Sequence, residues 1–247
     1  MKSILIVGGT SGIAKACCKI WASRDNCQFI LAVRNQELGR LVANDLKIQY
    51  PNSIFSVHCL DFLEPASINS FLSELFETVR VDIALVAQGS LPDQKQCESD
   101  LVLVKDSIAI NMLSPILFSE CVVDKMCKQG FGTLAIIGSV AGDRGRKSNY
   151  IYGCAKGALD QYCQGLRHRL FKGNIFISLI KPGPTKTPMT SHLTGGNMSL
   201  ANVDDVAATI VDGINARKKI IYCPIKWKFI MTILRAIPES IFNRLNI

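Results

Sequence analysis

The chain has 247 residues, 48% of them hydrophobic, with ten cysteines and a formal net charge of +8 at pH 7, which suits one large α/β core better than two small ones. The cysteines are scattered through apolar segments without a C-x-x-C pair, so they read as small core residues of a reducing cytosol and not as a disulfide framework or a metal site; no metal is expected. The opening MKSILIVGG is too short in apolar residues for a secretory signal, and no uninterrupted apolar run reaches the ~18 to 20 residues of a spanning helix, so the expectation is a cytoplasmic protein, at most peripheral on the inner face of a membrane.

Short β-rich runs alternate with helical periodicity from the first residues onward. Strands are expected at 3–7, 28–33, 54–60, 82–87, 133–138, 175–180 and 219–224, with helices near 12–24, 35–49, 65–78, 100–128, 150–172 and 203–217. Strands apolar on both faces, separated by crossover-length helices, predict a doubly wound parallel sheet, Rossmann-like, with helices on both faces in a single domain over 1–224. The segment 182–202, rich in Pro, Gly, Ser and Thr, is expected to be irregular.

Strand one ends in V-G-G-T-S-G-I-A. Gly8, Gly12 and Ala14 at this spacing allow a sharp turn and a close approach of pyrophosphate to a helix N-terminus. Strand two ends in A-V-R-N, with no acid for a ribose diol, and Arg34 could pair with a 2′-phosphate; NADP(H) is therefore favoured, with NAD(H) as the alternative. After strand three, Asp61 could accept from an adenine amino group, and after strand four Ala87 and Gly89 could lie against the adenosine.

Ser139 stands at the C-terminal end of strand five, and two tyrosines and a lysine follow. At about 100° per residue, Tyr152 and Lys156 differ by about 40° and share a helix face, whereas Tyr150 and Lys156 are about 240° apart. Tyr152 is thus the partner of Lys156, and an ammonium together with a cationic nicotinamide would favour its phenolate. Tyr150 is left as a pocket wall or core residue. Arg144, Arg146 and Lys147 between Ser139 and Tyr152 could meet a phosphate or form a solvated loop.

Gly8-xxx-Gly12-x-Ala14, Asp61, Asn111, Ser139, Tyr152-xxx-Lys156 and Pro182-Gly183 with Thr187 together resemble the short-chain dehydrogenase/reductase family over residues 1 to about 224. That resemblance implies that Tyr152 is the general acid of a ketone reduction, that Ser139 orients the carbonyl, that Lys156 binds the nicotinamide ribose and lowers the tyrosine pKa, and that Asn111 helps hold a relay water. It also implies cofactor contacts from Gly8, Thr10, Ser11, Gly12, Ile13, Arg34, Asp61, Phe62, Ala87, Gly89, Tyr152, Lys156, Pro182, Gly183, Thr185 and Thr187, and homo-oligomers formed through the helices at 100–128 and 150–172. Val7 replaces the family's usual threonine, and Ala87-Gln88-Gly89 replaces Asn-Ala-Gly.

The 140–153 loop, A-Q-G-S-L-P-D-Q and the basic tail are similar to a narrower branch, the ketoreductase subunit of decaprenylphosphoryl-ribose 2-epimerase and its bacterial relatives. This likeness implies a keto sugar, on a polyprenyl phosphate carrier, supplied by a partner flavin oxidase. Reduction of a 3-oxoacyl or other small carbonyl substrate, and a non-catalytic dinucleotide sensor, are the alternatives.

From Arg217 onward there are seven basic residues and one acid, Glu239. The extension 225–247 mixes these charges with Trp227, Phe229, Ile230, Ile233, Leu234, Ile237, Ile241, Phe242 and Leu245 and is interrupted by Pro238. Two short amphipathic helices of this kind could lie in a membrane interface, or pack on the enzyme body or on a second subunit; so aliphatic a surface fits nucleic acid poorly.

Overall fold

The computed structural model describes residues 1–193 and 200–245. Seven parallel strands, β1 (Lys2–Val7), β2 (Cys27–Val33), β3 (Ile54–Cys59), β4 (Ile83–Val86), β5 (Gly132–Ile137), β6 (Ile175–Pro182) and β7 (Ile220–Cys223), form one sheet in the order β3-β2-β1-β4-β5-β6-β7. The helices are α1 (Gly12–Arg24), α2 (Gln36–Gln49), α3 (Pro65–Thr78), α4 (Gln94–Cys97), α5 (Leu101–Ile108), α6 (Ser114–Gln129), α7 (Tyr150–Arg169), α8 (Val203–Asn215), α9 (Lys226–Ala236) and α10 (Glu239–Phe242).

Alternation along β1 shows why the sheet is covered on both sides. Ile4 and Ile6 join a core with Trp21, Leu46 and Ile210, while Leu5 and Val7 join a second core with Phe62, Phe118 and Leu159. The edge strands β3 and β7 are the ones with exposed positions in their burial patterns. The strand order reverses between β1 and β4, and this opens a crevice at their C-terminal ends.

Three details depart from the sequence-level expectations. The helix expected at 100–128 is α5 and α6 joined by a π turn at Ala109–Leu113, and α4 was not anticipated. By length and composition Leu101–Gln129, with mean hydropathy 1.6, is long and apolar enough to cross a bilayer. The run-based expectation missed it because charged and polar residues such as Lys105, Asp106 and Asn111 interrupt its apolar stretches; in the fold, fully buried Phe118, Val122, Val123 and Met126 pack within the second core. Six cysteines are buried, but Cys59, Cys127 and Cys154 are exposed, so the core reading does not extend to them. The described part of 182–202 is irregular as expected beyond the end of β6, with a 3-10 turn at Pro188–Leu193 and a bridge from Thr185 to Ala201, while 194–199 lie outside the described residues.

Candidate active site

The turn after β1 requires glycine at its first position. Gly8 has φ +84°, and a Cβ there would lie 2.7 Å from the Gln88 nitrogen, so both backbone conformation and space exclude a side chain. The Gly8 and Gly9 N–H groups donate to the Ala32 carbonyl at 3.0 and 3.1 Å, and Ser11 N–H donates back to Gly8 at 2.9 Å. The first bond of α1 runs from Lys15 N–H to Ser11. The N–H groups of Gly12, Ile13 and Ala14 therefore precede the intrahelical ladder and form the positive end of the helix dipole. Ser11 is the N-cap but makes no side-chain cap bond, and Thr10 is exposed. A Cβ on Gly12 would stand 3.3 Å from the Thr187 side chain, which brings the segment after β6 over this turn. Such a backbone cradle fits a dinucleotide pyrophosphate.

The other strand ends extend the cradle along the crevice. Arg34 is exposed just past β2. Asp61 is exposed and accepts from Leu63 N–H at 2.8 Å. Phe62 points the other way, 2% exposed and edge-on to Phe118 at 5.0 Å, so its backbone alone can face a ligand. Ala87 is buried, and a Cβ on Gly89 would meet Asn111 Oδ1 at 2.9 Å and Lys156 Nζ at 3.6 Å.

The structure brings Ser139, Tyr152, Lys156 and Asn111 together beyond β4 and β5. Ser139 Oγ caps the turn at Val140–Gly142 by accepting from Ala141 N–H at 3.0 Å. Lys156 Nζ lies 5.8 Å from the centre of the Tyr152 ring and donates to the Ile137 carbonyl at 3.0 Å. Burial pushes the Lys156 ammonium down to about 8. Burial also pushes Tyr152 up to about 12, opposed by a hydrogen bond with Ser139. The direction is opposite to that expected from Lys156, because desolvation of the phenolate outweighs the hydrogen bond with Ser139. Asn111, fully buried in the π turn, has both ends of its amide engaged: Nδ2 donates to the Ser107 carbonyl at 3.0 Å and Oδ1 accepts from Ser90 N–H at 3.0 Å.

At the far end of the crevice, Gly183 N–H donates to Cys223 at 3.0 Å and Thr185 Oγ1 donates to the Gly183 carbonyl at 2.9 Å. Thr187 N–H donates to Thr190 Oγ1 at 3.1 Å. The Trp227 indole of α9 rests directly on Gly183, where any Cβ would overlap it. The extension therefore packs on the body, one of the placements expected for it, and does so at Gly183 just past the end of β6.

Residues 2–197 match the profile of the short chain dehydrogenase family. The chain belongs to this family. It is an oxidoreductase of that type, and over 252 residues it is 28% identical to an uncharacterized oxidoreductase of Streptomyces coelicolor, covering 99% of this chain and 96% of that one. In fold it resembles a short-chain dehydrogenase from Sphingobium yanoikuyae solved with NADPH, with a TM-score of 0.82 at 20% identity over 97% of this chain and 98% of that one. It also resembles L-sorbose reductase from Gluconobacter frateurii, solved with NADPH and L-sorbose, with a TM-score of 0.78 at 18% identity over 90% of this chain and 94% of that one.

Beside the residues that carry the family resemblance lies an ion cluster that the sequence reading missed. Lys181, 2% exposed on β6, pairs with Asp143 and, at 2.6 Å, with Asp160 of α7; Tyr222 of β7 donates to the other Asp143 oxygen at 2.8 Å. Burial alone would lower the Lys181 ammonium, but the two carboxylates reverse the shift and hold it above its ordinary value. The signal available in the sequence was a lysine within the apolar run I-F-I-S-L-I-K-P, because a buried lysine needs a carboxylate.

Arg144 was also placed differently from either sequence reading. Its guanidinium donates to the carbonyls of Leu234 and Ile237, the latter at 2.6 Å, and lies 3.8 Å over the Phe242 ring. It meets the tail, not bulk solvent or a phosphate.

Lys181→Ala should lower unfolding free energy by about 3–5 kcal/mol, since two buried carboxylates lose their cation. Chemical denaturation should show the deficit narrowing as pH falls below about 4, where the Asp160 carboxyl, which Lys181 holds below its ordinary value, takes up its proton; a deficit independent of pH would count against an ionic origin.

Proposed function

We propose that this chain is an NADP(H)-dependent carbonyl reductase acting on a keto sugar, with Tyr152 as the general acid. The observation that carries the proposal is the convergence of Ser139, Tyr152 and Lys156 at the C-terminal edge of a sheet whose first turn is a phosphate cradle. The cofactor would lie along the Gly8–Ile13 turn, with Arg34 at a 2′-phosphate, Asp61 and the backbone of Phe62 near adenine, Ala87 and Gly89 against the adenosine, and Pro182, Gly183, Thr185 and Thr187 at the nicotinamide end. The exposed Arg34 and the absence of an acid in Val33-Arg34-Asn35 favour NADP(H) over NAD(H).

When bound, the reduced nicotinamide supplies the hydride. With its pKa near 12, Tyr152 is a neutral phenol at pH 7 and can donate its O–H proton to the carbonyl oxygen. Ser139 donates a hydrogen bond to the same oxygen and orients it. Lys156, charged below about pH 8, holds the nicotinamide ribose and stabilises the phenolate left after proton transfer. Asn111 acts as a positioning residue, since its side chain ties the π turn to Ser90.

The keto-sugar assignment is supported by the sugar bound in one fold relative. Its lipid-linked form, and a partner flavin oxidase that would make the ketone, rest on the narrower resemblance of loop and tail. A 3-oxoacyl substrate is the competing reading, to be separated by comparing NADPH oxidation with keto sugars against 3-oxoacyl thioesters. The tail supports a membrane contact on one face: Met231 and the Trp227 indole turn toward the body, while Phe229 and Ile233, 65% and 66% exposed, turn away beside Lys226. Exposed Leu101 and Val102 on α5 would take part in pairing between copies.

Tyr152→Phe should reduce NADPH-dependent ketone reduction by about 10²–10⁴-fold while NADPH affinity, measured by fluorescence, stays within twofold; unchanged turnover would sink the mechanism and favour a non-catalytic sensor. In wild type, kcat/KM for reduction should be level at pH 6–7 and fall above about 8 as Lys156 loses its proton, and Lys156→Arg should move that limb to higher pH. Replacing Phe229 and Ile233 with serine should at least halve co-sedimentation with phosphatidylglycerol vesicles, and equal sedimentation would assign the stripe to protein contact.

A further inference from the structure

A cleft of ≈ 560 Å³ separates the loop after Ser139 from α10, lined by Arg144, Arg146, Lys147 and Tyr150 on one side and Phe242 and Asn243 on the other, with Glu239 as its single acid. Among the described residues, no ion pair involves any of these three cations. Arg144 spends its hydrogen bonds on neutral carbonyls of the tail and so fixes the wall of the cleft without losing its charge. Arg146 differs from it: its Nε is buried and without a hydrogen-bond partner. The carboxylate whose charge it feels, Asp143, is committed through one oxygen to Lys181 and through the other to Tyr222.

A guanidinium N–H buried without an acceptor is costly, and an oxyanion is the acceptor that would also answer the charge of this half-buried arginine. Two further features agree. The cleft opens at the N-terminus of the 20-residue helix α7, where Tyr150 lines it and the N-cap Asn149 makes no side-chain cap bond. The loop that carries Arg146 and Lys147 runs from Ser139 to the start of α7, which bears Tyr152, so the cleft and the candidate catalytic groups belong to one short segment.

We propose that this cleft is an anion subsite for a phosphate carried by the substrate, with Arg146 and Lys147 as its ligands and Arg144 as the residue that holds the tail in place to form it. The proposal rests on the reductase reading for its orientation toward Tyr152, but phosphate binding itself does not depend on turnover. The subsite is walled by the loop between Ser139 and Tyr152 and by the tail, and Arg34, just past β2, takes no part in its lining. A water-soluble phosphorylated substrate and a lipid-linked phosphate share this chemistry.

The test is titration of the full chain with inorganic phosphate at pH 7 and low ionic strength, read by calorimetry without substrate and repeated with saturating NADP⁺. Saturable binding is expected, weakened at least tenfold in Arg146→Gln and at least threefold in Lys147→Gln, and unaffected by Tyr152→Phe or Arg34→Gln. Lys147 is exposed, so its variant remains informative if Arg146→Gln fails to fold. Absence of saturable phosphate binding, or binding lost only in Arg34→Gln, overturns the subsite. Loss of reductase activity in Tyr152→Phe with phosphate binding intact separates the two readings. A second arm uses phosphatidic acid vesicles: binding that weakens in Arg146→Gln as phosphate binding does assigns the anion to a lipid, and vesicle binding indifferent to Arg146 assigns it to a soluble substrate.

Discussion

All seven strands run in the same direction through a sheet that is buried on both faces. A backbone so enclosed can present polar groups to a ligand only where the strands end. The Gly8 turn, Arg34, Asp61, Gly89, Ser139 and Gly183 are therefore all residues at or just beyond strand C-termini, and the crevice is assembled from residues far apart in sequence without any of them entering the core. Helix α7 then contributes Tyr152 and Lys156 from the side, one turn apart.

Two lysines are buried beside this edge, and the fold treats them in opposite ways. Lys181 is given two carboxylates and a fixed position, so its charge survives burial and joins the loop after Ser139 to α7, with Tyr222 of β7 bonded to the same Asp143. Lys156 receives a neutral carbonyl, so burial depresses its ammonium to about 8, into the range where its protonation can matter to turnover. The ordinary value is the same for both; the number of carboxylates within hydrogen-bond reach separates them.

The extension after β7 is joined to the same edge. Trp227 rests on Gly183, Met231 is fully buried, and Arg144 binds the last carbonyls of α9 while stacking on Phe242 of α10. The loop between Ser139 and Tyr152 thus holds the tail, and the tail closes one side of the loop's cleft. One stripe of α9 is used in this packing while the stripe with Phe229 and Ile233 stays exposed, so packing and an exposed apolar face coexist in one helix.

Local pattern carries the fold and the core of the candidate site. Runs apolar on both faces announce parallel strands, V-G-G-T-S-G-I-A announces the turn, and a spacing of four residues puts Tyr152 and not Tyr150 beside Lys156; each of these depends on short-range geometry that the order of residues specifies. Long-range pairing was not legible. Asp143, Asp160, Lys181 and Tyr222 stand on a loop, a helix and two strands, and their meeting depends on crossovers whose side-chain partners no local period encodes. The direction of the Tyr152 shift, the commitment of Arg144 to the tail and the unpaired Arg146 likewise arise from burial, which is set by everything packed around a residue and not by its neighbours in the chain. Sequence alone therefore determined which groups reach the reactive edge, and tertiary packing decided which of their charges are paired, shifted or left open to a ligand.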